Sequence, residues 1–129
     1  MSMETAMRMR LRTDSTVAAI TAQVDWGVRP QGSALPAIVL TNIADQRDQH
    51  FLGNAAFRLT RVQVDCYAQT RAKAAALREA VIAALVPEAT VGGVTFLRSF
   101  VNTVLDRGDQ TETGFIHREM IDLNIWRSA

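Results

Sequence analysis

The 129-residue chain carries 14 Lys plus Arg against 13 Asp plus Glu, a formal charge of +1, with 48% apolar and 21% charged residues. That length fits a single domain over residues 1–129, and the apolar share supports a core, which excludes a disordered or low-complexity chain. Near-neutral charge excludes the strong basic field of an ordinary nucleic-acid-binding module, no apolar run reaches the roughly 18 residues of a membrane span, and the lone Cys66 allows no internal disulfide.

Met1 to Arg12 interleaves methionine with three arginines in place of a signal-peptide core, which predicts a soluble, unexported chain. From Glu4 to Gln23 the apolar residues Met7, Leu11, Val17 and Ile20 recur at helical spacing, with a break near Thr13 to Thr16 where Asp14 or Ser15 can cap a fresh start. Trp26 to Pro36 holds Gly27, Pro30, Gly32 and Pro36 and predicts a surface segment, with room for a short strand over Trp26 to Arg29. Ala37 to Ile43 is a β-branched run that reads as a buried strand. Ala44 to Ala56 then loses periodicity and predicts a long hairpin loop, a length usually tied to function.

Phe57 to Gln69 alternates with period two. Val62, Val64, Cys66 and Ala68 take the core face, and Arg61, Gln63, Asp65 and Tyr67 the other. Thr70 caps a helix from Arg71 to Val86 whose stripe is Ala74, Leu77, Val81 and Leu85, and Pro87 stops it. Gly92-Gly93 reads as a turn, Val94 to Leu105 as a strand bent near Ser99, and Asp106 to Gly114 as a second polar loop. Phe115 to Arg127 alternates again, with Ile121, Leu123 and Ile125 inward and Arg118, Asp122, Asn124 and Trp126 outward. The order predicts an α+β fold: two main helices packed on a largely antiparallel sheet of four to five strands.

No catalytic constellation emerges. His50 and His117 lack metal-ligand spacing, and Asp106, Asp109 and Glu112 do not follow the pattern of a calcium loop, so neither a metal nor a cofactor is expected. Cys66 sits on the predicted core face, where a thiol is a small apolar filler. Asp65 and Tyr67 are an acid/base pair only if a cleft gathers them, and otherwise a polar contact face. Thirteen arginines against one lysine, Lys73, fit subunit contacts as well as a GC-rich codon bias. An outward Trp126 beside Arg127 fits an interface anchor.

Four blocks together resemble a known family, the small tail completion or tail terminator proteins of long-tailed phages, prophages and gene transfer agents. They are Val17 to Ile20 leading through Pro30-Gln31-Gly32 into Leu35 to Leu40; Arg61 to Ala68; the helix Ala72 to Leu85; and Thr113-Gly114 through Asp122 to Trp126. The resemblance covers nearly the whole chain. The N-terminal block departs from the family, with a longer Arg/Met-rich start and Asp25-Trp26 where an Arg-Val/Ile-Tyr type of segment is commoner.

The resemblance implies a structural virion protein and no enzyme. Such a protein closes into a homo-oligomeric, usually hexameric, ring on the head-proximal end of the tail tube and presents a joining surface to the head–tail connector. It would assemble in the bacterial host cytoplasm, remain in the virion tail, touch no membrane and read no specific nucleic acid, while DNA passes through the ring. The residues placed at contacts are Asp45, Arg47, Asp48 and His50 in the first loop, Arg61, Gln63, Asp65 and Tyr67 on the polar strand face, Arg107 and Asp109 in the second loop, and Trp126. Two other readings stand beside this one: a monomeric adaptor for a host protein or nucleic acid, and a small enzyme that gathers Asp65, Tyr67 and His117 in a pocket.

Overall fold

Ser2 opens the first helix, its hydroxyl accepting from the Thr5 N–H at 3.1 Å. In the computed structural model, which describes residues 1–29, 34–46, 49–50, 53–54, 57–111 and 114–128, α1 runs Met3–Thr13 and buries Met3, Ala6, Met7 and Leu11 along one stripe. Asp14 then leaves helical geometry, and its carboxylate accepts from the N–H groups of Thr16 and Val17 at 3.0 Å each, starting α2 over Ser15–Ile20. The anticipated break therefore yields two short helices. Thr70 caps α3, Arg71–Leu85, by accepting from the Lys73 N–H at 3.2 Å, and Ala74, Leu77, Val81 and Leu85 form its buried stripe.

The main sheet is built outward from one central pair. β5 (Phe57–Ala68) lies antiparallel to β9 (Gly114–Ser128) along its whole length, from Phe57 opposite Ser128 to Ala68 opposite His117. On the other side of β5 comes β2 (Ala37–Gln46), antiparallel, and then β1 (Val24–Trp26), parallel to β2. The far side of β9 carries β8 (Phe100–Thr111) and, through the pair Phe96 and Arg127, the short hairpin of β6 (Ala89–Val91) and β7 (Val94–Phe96). Between β2 and β5 a small ladder joins β3 (Gln49–His50) to β4 (Gly53–Asn54).

Alternation fixes the core. Ile38, Leu40, Val62, Val64, Cys66, Ile121, Leu123 and Ile125 point to the side covered by the helices and are fully or almost fully buried against Met7, Leu11, Val17, Leu77, Val81 and Leu85. The opposite side has no helix packed on it among the described residues.

This architecture corrects the expectation of two helices on a sheet of four to five strands. The sheet has seven strands, curls into a half-barrel and dominates a fold whose helices are few and short. The added strands are the short pair β6 and β7, and two expected strands run on through polar stretches. Asp106 to Thr111 pairs residue by residue with Glu119 to Gly114, and Ala44 to Gln46 continues β2 opposite Arg61 to Leu59, so neither is a loop. Both carry polar residues on either face, Asp45 bound by Arg127 and Asp106 by Arg71, so their backbone pairing comes without apolar alternation. The expected single strand Val94 to Leu105 is split in two. The Leu97 N–H bonds the Trp126 carbonyl and the Ser99 N–H bonds the Val86 carbonyl, both at 2.9 Å, turning the chain from β7 into β8.

Candidate assembly surface

The helix-free face of the sheet gathers the polar row expected on β5. Arg61 grips Asp122 of β9 with two donors, Nε to Oδ1 at 2.9 Å and Nη2 to Oδ2 at 2.6 Å. The carboxylate holds the guanidinium pKa above its usual value, first through these hydrogen bonds and then through its charge. Four residues along, Asp65 is buried at 3% exposure and accepts from Arg118 Nε and from Gln63 Nε2, each at 3.0 Å. The guanidinium of Arg118 also lies over the Tyr67 ring, as does that of Arg29, each 5.6 Å from its centre. A buried carboxylate thus fixes an arginine, which fixes a tyrosine, and the row is a rigid polar platform. Beside it a trough of about 230 Å³ runs between Ile43 of β2 and Leu105 of β8, floored by Gln63 and Met120.

Other anticipated contact residues stand elsewhere. Asp45 is at the hairpin end of β2 and belongs to the helix-side row, where Arg127 Nη2 reaches both its oxygens at 3.0 and 3.1 Å and the Thr60 hydroxyl donates to it at 3.0 Å. Arg127 Nε donates to the same Thr60 oxygen at 3.0 Å. Arg107 is exposed on β8 opposite Arg118, and Asp109 lies further along the same strand. Trp126 is half-buried on the helix-free face opposite Leu59. His50 is in β3, while Arg47, Asp48 and Glu112 lie outside the described residues.

The two long hairpins point to opposite ends of the sheet. The β2–β5 hairpin turns near the C-terminal end of β9, since Phe57 pairs with Ser128. The β8–β9 hairpin turns at the other end, where residues 114–116 of β9 run past the last paired residue of β5, Ala68. Its tip carries Phe115, 47% exposed, with the His117 ring edge-on at 4.8 Å.

Sequence reasoning missed the margin of β8. Phe100, Val101, Val104 and Leu105 are all large, apolar and exposed, from 37% for Val101 to 56% for Phe100. The signal was the doublets Phe100-Val101 and Val104-Leu105: adjacent residues on a strand point to opposite faces, so a doublet puts apolar surface on both. α3 packs on β5 and β9 and meets β8 through the ion pair of Arg71 with Asp106 at 2.9 Å, leaving the apolar start of β8 exposed.

Asp65 and Tyr67 lie on the helix-free face and His117 on the other, so these three groups do not converge. Cys66 is buried among the core side chains, and that burial pushes its thiol pKa well up, with the charges of Asp65 and Glu119 adding to the effect. It is a packing residue.

The family model of the tail completion protein gp17 matches residues 5–126. The chain belongs to this family. It is a structural protein of the virion tail that serves in joining head and tail. Among solved structures, a chain described as "Virion of native gene transfer agent (GTA) particle" shares the fold with a TM-score of 0.74 at 15% identity, over 99% of this chain and 96% of that one. No curated protein matches. For a tail completion protein, the rigid polar platform, the paired hairpins and the exposed apolar start of β8 are surfaces available for contact.

Proposed function

We propose that this tail completion protein closes into a ring of identical subunits, a hexamer by the family resemblance, on the head-proximal end of the tail tube. The ring ends tube growth and offers its other side to the head–tail connector. A ring is one heterologous contact repeated until rotation closes, so each subunit needs two different faces. The observation that carries the reading is the sheet itself: one margin is the long strand β8, the other is the outer part of β2, and the two hairpins project from opposite ends. Two lateral margins serve neighbours, and two ends serve tube and connector. DNA passes through the central opening without being read.

The test uses the full chain with purified tail tubes. Native mass spectrometry and electron micrographs should show a discrete multiple of the chain mass seated at one tube end, with tubes no longer extending. A chain that stays at monomer mass and leaves tubes growing overturns the ring and favours an adaptor.

A further inference from the structure

Resting on the ring reading, we propose that neighbouring subunits join by strand addition: the outer edge of β8 in one copy pairs antiparallel with the outer edge of β2, Thr41–Ala44, in the next. The seven-stranded sheet is then one stave of a continuous barrel.

Three observations carry this. The first is the state of the two edges. Among the described residues, β8 pairs with β9 on one side, which leaves the outer side of Phe100–Leu105 open, and β1 covers β2 from Ile38 to Leu40. Folded chains blunt such edges with proline, charge, bulges or very short strands, and each of these two carries one register shift, at Val101/Thr103 and at Asn42/Ala44. β8 has no proline and shows Phe100, Val101, Val104 and Leu105 to solvent, while β2 shows Ile43 at 46%. An edge left this open is a binding surface.

The second observation is height. Cross-strand partners place Ala44, Arg61, Asn124 and Phe100 in one row, and Asn42, Val62, Leu123 and Val101 in the next. The apolar start of β8 is therefore level with the part of β2 that β1 leaves open. Further along, Asp106 is level with Ile38, where Val24 already occupies the edge, and there β8 turns polar. Phe100 and Val101 stand where a neighbour can dock, whereas Val104 and Leu105 are level with Leu40 and Val39, beside β1. A shear of a few residues, which closing a barrel requires, brings Val104 and Leu105 into the same contact.

The third is strand sense. β2, β5, β9 and β8 alternate in direction, so β8 runs opposite to β2. Rotation about an axis along the strands preserves direction, so β8 of one copy meets β2 of the next as an antiparallel pair. A two-fold contact between two β8 edges also satisfies the hydrogen bonds, but it closes at a dimer and leaves β2 open.

Cysteine pairs decide the matter, because Cys66 is buried and does not compete. Ala44→Cys is combined in turn with Phe100→Cys, Thr103→Cys and Leu105→Cys, which share one face of the sheet. Each full-length variant is oxidised at high concentration and in assembled tails. One pairing should give a ladder on a non-reducing gel that ends at the ring mass, and its identity reads the shear; variants with a single cysteine should give no ladder. Rings that form without cross-linking in any of the three overturn the edge pairing and leave the ring intact. Dimers from Phe100→Cys alone show the two-fold contact instead. Native mass that remains one chain in solution, with no cross-link in tails, overturns the ring reading itself.

Discussion

Asp65 and Arg61 are both salt-bridged on the same strand face, yet their environments differ. The Asp65 side chain is 4% exposed and that of its partner Arg118 is 26%, whereas the Arg61 side chain is 53% exposed. Removing the Asp65 carboxylate takes one buried charged partner from Arg118 and one acceptor from Gln63, and charged hydrogen bonds of this kind are worth about 1.5–3 kcal/mol each. Asp65→Ala should therefore lower the urea midpoint by the equivalent of about 2 kcal/mol or more, and Arg61→Ala by much less, because water replaces an exposed pair. Equal midpoint shifts would show that burial does not rank the two. Cys66 carries a second residue-scale consequence. Below the ordinary thiol pKa of about 8.5 both folded and unfolded chains hold the proton, and above it only the unfolded chain releases it. Stability should fall as pH rises beyond that value, and Cys66→Ala should remove this part of the slope in urea titrations run from pH 7 to 10.

The elements that were legible from sequence are those with one wet and one dry face. Val62, Val64 and Cys66 alternate with Gln63, Asp65 and Tyr67, and α3 repeats its stripe at Ala74, Leu77 and Val81, because burial on one side imposes a period. The second half of β8 escaped because its residues are polar on both faces and its pairing with β9 leaves no apolar period in the sequence. Gly108 was the overlooked mark in that stretch. A Cβ there would come within 2.3 Å of the Phe115 ring and 2.8 Å of the Ile116 carbonyl oxygen, so the ring lies directly across the strand at this point. Gly108→Ala should push Phe115 off the strand and cost about 1–3 kcal/mol by overpacking. Loss of the Phe115–His117 ring contact in nuclear Overhauser spectra is the sign to look for, and an unchanged contact would show that the hairpin has room to spare. Asp14 works through hydrogen bonds and not packing: Asp14→Ala unpairs the Thr16 and Val17 N–H groups and should cost about 1 kcal/mol, read from the thermal midpoint.

Taken as a whole, the molecule displays its polarity in the hairpins. The polar stretches that sequence reading set down as two loops are the outer parts of two hairpins at opposite ends of a single sheet, a relation that no local pattern of residues contains because it depends on how β5 pairs with β9. If the strands run along the tail axis, one tip faces the tube and the other the connector. Two shortened chains test this. In one, residues 47–56 are replaced by two residues, which with Phe57 and Arg58 make a four-residue loop between Gln46 and Leu59, already a pair. In the other, Gln110 to Phe115 is shortened in the same way. Neither change touches the buried cluster that holds sheet to helices, so both chains should fold with little change in thermal midpoint. Their assembly defects should differ: one variant should fail to seat on tubes, and the other should seat on tubes but leave tails without heads. Counting capped tubes and joined particles in micrographs separates the two outcomes. The same defect from both deletions would mean that the tips meet one partner and that the strands lie across the axis, not along it.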